Sequence, residues 1–86
     1  DLMSDFCSQM IEQKTNDILL SAIALRIKQF REERSITQEV FTFDTNINIG
    51  RIESGKSNIT ISTLYKICKY MDISLADFFN GFSLEL

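Results

Sequence analysis

Proline is absent from the whole 86-residue chain, and through its middle the apolar residues recur at helical spacing. Without proline, helices stop only at polar caps and at Gly50, Gly55 and Gly81. The pattern predicts an all-α chain of several short helices. Apolar residues make up 44% and charged residues 24%, an ordinary globular balance for one compact domain.

The first predicted core helix spans about 17–34. Leu19, Ile23, Ile27 and Phe30 form its inner stripe, Asn16 or Asp17 can cap it, and Ser35-Ile36 breaks it. The second follows Thr37, a capping residue, with Val40 and Phe41 turned inward. A tight connection is expected near Asp44-Thr45-Asn46. The third helix ends near Ser54, with Gly55 behind it. Lys56-Ser57-Asn58 is a polar loop. The fourth helix, about Ile61 to Met71, is capped by Thr60 and turns Leu64, Ile67, Cys68 and Met71 inward. The fifth follows Ser74, with Leu75, Phe78 and Phe79 inward. Phe6, Cys7 and Met10 suggest a further helix at about 3–13. The expected organisation is an N-terminal arm at 1–16, a helical domain at 17–80 and a tail at 81–86.

Composition removes several classes. No apolar run approaches the roughly 18 residues of a membrane span. No basic-then-apolar stretch of the signal-peptide type opens the chain. Cys7 and Cys68 are too few for a disulfide framework and too far apart for a zinc site, so a reducing, cytoplasmic setting is expected. With no histidine, no phosphate-binding glycine loop and no nucleophile elbow, neither catalysis, a metal nor a cofactor is implied. The net charge of −3 argues at first against a polyanion binder. It divides unevenly, however. Residues 1–17 sum to −3, residues 18–80 to +1, and Glu85 supplies the rest.

The run from Ile23 to Glu39 (IALRIKQFREERSITQE) resembles the opening of a Cro/C1-type, or Xre-family, helix-turn-helix. Arg51-Ile52-Glu53-Ser54-Gly55-Lys56 resembles the end of its recognition helix. Ile61–Cys68 followed by Ile73–Phe79 resembles its last two helices. The resemblance covers about 23–80. It implies a compact five-helix, lambda-repressor-like bundle, here with an extra N-terminal helical segment, and sequence-specific binding of double-stranded DNA by a transcriptional regulator.

A recognition helix fits the major groove, roughly 12 Å wide, with its first residues at the base edges. Asn46, Asn48 and Arg51 are therefore the candidate base-contacting residues. Asparagine pairs with adenine and arginine with guanine, while either asparagine can equally cap the helix. Gln38 stands at a helix start, and in the family this glutamine commonly touches the DNA backbone. Thr37, Lys56, Ser57 and Asn58 are the other backbone-contact candidates. Arg31 and Glu53 match a structural ion pair of the family.

The sequence departs from the family at one place. From Thr37 to Glu53 it is three residues shorter than the usual pattern. If helix two is shortened, Asn46, Ile47 and Asn48 hold the base-reading positions. If helix three is shortened, Asn48 and Gly50 lead it. Ile59 also replaces a common proline.

One such domain covers roughly 4–5 base pairs, so a homodimer on a palindromic operator is expected. Phe6, Met10 and Ile11, or Phe82, Leu84 and Leu86, are candidate seams. The alternative is a protein-interaction or dimerisation module on the same scaffold, with DNA binding weak or lost.

Overall fold

The computed structural model describes residues 2–84, with side chains from residue 16 onward. Five helices follow one another, with no strand among the described residues. They are α1 (Leu2–Glu33), α2 (Gln38–Thr45), α3 (Ile49–Glu53), α4 (Ile61–Tyr70) and α5 (Leu75–Phe79). None is long and apolar enough to cross a membrane.

The arm and the first core helix are one continuous element. Lys14-Thr15-Asn16-Asp17 contains neither glycine nor proline, so nothing forces the backbone out of its i→i−4 ladder. At 1.5 Å per residue α1 is about 48 Å long. The candidate seam residues Phe6, Met10 and Ile11 lie in it, but their side chains, like all of Leu86, fall outside the description.

The core is a single cluster. Ile23 and Ile27 from α1 meet Phe41, Ile49, Leu64, Ile67, Cys68, Met71 and Phe78 from the other four helices. The expected stripe of α4 is buried throughout. Of the two inward residues expected on α2, Phe41 is buried and Val40 faces water. An eight-residue helix with one buried apolar residue offers only a narrow stripe to the core. Burial also raises the Cys68 thiol above its ordinary pKa, which keeps it protonated and unreactive.

Thr37, Thr60 and Ser74 cap α2, α4 and α5, their hydroxyls accepting from Val40 N, Thr63 N and Asp77 N. The C-terminal ends are less orthodox. Ser35, Asn46 and Asp72 all have positive φ, near 54–59°. After α1, Ser35 N–H donates to Glu32 O and Ile36 N–H to Arg31 O. After α4, Asp72 N–H donates to Lys69 O and Ile73 N–H to Cys68 O. Both are Schellman turns, each followed by an isoleucine packed on the core. A non-glycine residue in the left-handed region costs about 1–2 kcal/mol. Glycine removes that cost and returns part of it as unfolded-chain entropy. Ser35→Gly is therefore expected to stabilise the domain by about 0.5 kcal/mol. A higher urea midpoint at unchanged m checks this.

Three arginines in and just behind α1 brace the bundle. The Arg26 guanidinium donates to Phe78 O, at 2.9 Å, and to Asn80 O, closing the end of α5. Arg34 donates to Met71 O at 2.8 Å, closing the end of α4. Both also lie over the Phe30 ring, 5.5 and 5.4 Å from its centroid. Arg31, the third, belongs to the site below.

Candidate nucleic-acid interface

Two helices and a three-residue turn form the exposed unit. Asn46, in the left-handed region, ends α2 by donating its N–H to Thr42 O at 2.8 Å. Thr45 Oγ1 donates to Phe41 O and accepts from Ile47 N. Thr42 Oγ1 accepts from Ile49 N at 3.4 Å. Asn48 Oδ1 then caps α3 by accepting from Arg51 N at 3.1 Å. Ile49, the first residue of α3, is fully buried and fastens the helix to the core.

Of the two helices α3 is the shorter. The second helix has eight residues and α3 has five. It runs Ile49-Gly50-Arg51-Ile52-Glu53, so Asn48 and Gly50 stand at its head and Asn46 lies back at the corner of the turn. Arg51 is exposed. Among the described residues its guanidinium takes part in no ion pair.

A carboxylate–guanidinium fork sets the angle of α3. Arg31 Nε donates to Glu53 Oε2 at 2.7 Å, and a terminal nitrogen donates to Oε1 at 2.9 Å. The other terminal nitrogen donates to Ile36 O at 2.7 Å, in the turn before α2. The two side chains are only 9% and 3% exposed. The Glu53 bonds hold the Arg31 guanidinium above its already high pKa, against the lowering effect of burial. One residue therefore ties together α1, the start of α2 and the end of α3.

Gln38 joins the same network, its Nε2 donating to Glu53 Oε1 at 3.2 Å. A Cβ on Gly50 would stand 3.2 Å from Gln38 Oε1 and press on that side-chain amide. Behind α3, Gly55 has φ +77°, and a Cβ there would lie 3.5 Å from the Ser21 backbone of α1. Lys56 and Asn58 of the following loop are exposed, and Ser57 is half-buried. Asn58 Oδ1 accepts from Asn16 Nδ2 at 3.4 Å, which joins the loop to α1.

The sequence reading missed three features. Tyr70 of α4 donates its hydroxyl proton to Asp44 Oδ2 at 2.5 Å and sets its ring edge-on to Phe41, 4.7 Å between centroids. That bond holds the Tyr70 hydroxyl above its ordinary pKa. Phe43 is 88% exposed. It helps to line a shallow groove of about 460 Å³ with Gln38, Glu39, Thr42, Asn48 and Gly50. Only the Phe43 signal could have been found, since Phe41 and Phe43 cannot both face the core two positions apart on one helix. No cluster of three or more metal-ligating side chains occurs among the described residues.

The geometry is that of a helix-turn-helix unit embedded in a five-helix bundle. Residues 27–78, more than half of the chain, match the family model described as Helix-turn-helix, and the chain belongs to that family. Neither a curated protein nor a solved structure matches the chain.

Proposed function

We propose that the protein is a transcriptional regulator that binds double-stranded DNA through the major groove and acts as a repressor or autoregulator. The carrying observation is the α2–turn–α3 unit, locked at a fixed angle by Arg31 and Glu53, within a chain of a DNA-binding family. Arg51 and the amide nitrogen of Asn48 are the proposed base readers, with Asn46 beside them at the turn. Thr37 and Gln38 at the start of α2, and Lys56, Ser57 and Asn58 behind α3, are the proposed backbone contacts. So short a recognition helix covers few base pairs, which favours two copies on a palindromic operator. The chain's own N-terminal helical stretch, with Phe6, Met10 and Ile11, is one proposed seam.

A second reading, a protein-interaction module on the same scaffold, is favoured by the five-residue α3 and by an α2 that carries Glu39 and Asp44 without a base.

Anisotropy titration of a randomised duplex pool at several salt concentrations separates the two. Saturable binding that weakens with salt supports the regulator. No binding at low salt overturns it. Arg51→Ala is expected to lose about 1–3 kcal/mol of discrimination at one base pair, whereas Lys56→Ala weakens all sequences alike.

A further inference from the structure

We propose that Phe43 is a specificity-determining residue that reads thymine, its ring packing against the 5-methyl group in the major groove. The proposal rests on the DNA-binding reading above and names what one part of that surface recognises.

Three observations carry it. First, the polar readers are few. Asn48 Oδ1 holds Arg51 N, Asn46 forms the left-handed corner, and α3 has only five residues. Base recognition by α3 alone is therefore thin. Second, α3 begins directly behind its cap, so no leading turn covers the outer face of α2. The groove there is lined by Gln38, Glu39, Thr42, Phe43, Asn48 and Gly50. It carries no cation and one carboxylate. Beyond Gln38, which stands at its backbone-facing edge, such a lining offers neutral polar groups and an aromatic ring that suit base edges. Third, Phe43 is the most exposed of the large apolar side chains described, at 88%, and it flanks this groove. The thymine methyl is the apolar feature of a major-groove edge, and phenylalanine is a side chain that can meet it. Contact removes both groups from water.

The test uses the full 86-residue chain and a duplex enriched from a randomised pool. In further copies of that duplex each thymine is replaced singly by deoxyuracil. The change deletes one methyl group and leaves every hydrogen-bonding group in place. Titrations at low salt, where both proteins can be followed, compare the chain with its Phe43→Ala and Phe43→Leu variants. The expected result is an about fourfold loss at one thymine per half-site, the equivalent of one buried methyl group. Phe43→Ala abolishes that sensitivity, and Phe43→Leu keeps part of it. Because the ring is exposed, the circular dichroism of both variants stays unchanged. Three results overturn the proposal while leaving DNA binding intact: deoxyuracil tolerated at every position, an equal loss in Phe43→Ala, or an enriched site without thymine. Failure to enrich any duplex overturns the DNA-binding reading and this proposal with it.

Discussion

Replacing Glu53 by alanine is expected to destabilise the domain by about 3 kcal/mol, near the lower end for breaking a buried pair. The lower end applies because in an 86-residue domain no side chain lies far from water. The loss exceeds that of a surface ion pair for a specific reason. Arg31 is 7% exposed and its guanidinium would keep only Ile36 O as a partner. A charged group left half-satisfied costs more than the bond it has lost. Gln38 loses its acceptor in the same step. The Arg31→Met, Glu53→Leu double variant, which strands no charge, is expected to cost clearly less than Glu53→Ala alone. Urea unfolding of the three proteins at constant m checks the ordering. A Glu53→Ala chain as stable as its parent would show that the fork contributes orientation alone.

Phe41→Ala is expected to cost more, about 4 kcal/mol. Phe41 is fully buried at the centre of the cluster, and it is the buried residue of α2. Its ring also meets the edge of Tyr70. Truncation removes the contact that seats α2 and leaves a cavity in the core cluster. Against a total stability of about 5 kcal/mol for a small domain, about 1 kcal/mol would remain, so roughly a sixth of the molecules would be unfolded before any heating. Helical circular dichroism against temperature measures this directly. Tyr70→Phe, which keeps the ring contact and deletes only the bond to Asp44, is the control that isolates packing from hydrogen bonding.

The difference between what the sequence disclosed and what it concealed follows physical lines. Thr37, Thr60 and Ser74 were legible as caps because a hydroxyl three residues before an orphan amide is a local signal. The α4 stripe was legible because its period is short-range. The Arg31–Glu53 pair was legible only through family resemblance, since 22 positions separate the partners. The break at Ser35-Ile36 was legible, but the left-handed conformation of Ser35 and Asp72 was hidden because neither residue is a glycine. The unity of α1 was hidden because Asn16 and Asp17 are capping types that also tolerate a helix interior. The brevity of α3 was hidden because Ile49, its buried first residue, is anchored by neighbours distant in sequence.

The three bracing arginines, Arg26 and Arg31 of α1 and Arg34 just behind it, bear on how the protein would hold DNA. A cation that closes a helix end or a buried fork cannot displace an ion from a phosphate. With Arg26, Arg31 and Arg34 bonded to groups of the bundle, Arg51, Lys56 and Lys28, which lies beside Ser54 and Gly55, are the basic groups around the turn and the loop. On the proposed reading, few condensed counterions would leave the duplex when each protomer docks. Non-specific sites on the genome would then retain the protein only weakly. Discrimination would come from shape, apolar contact and a few placed donors, and the regulator would find its operator without first being held along the rest of the DNA.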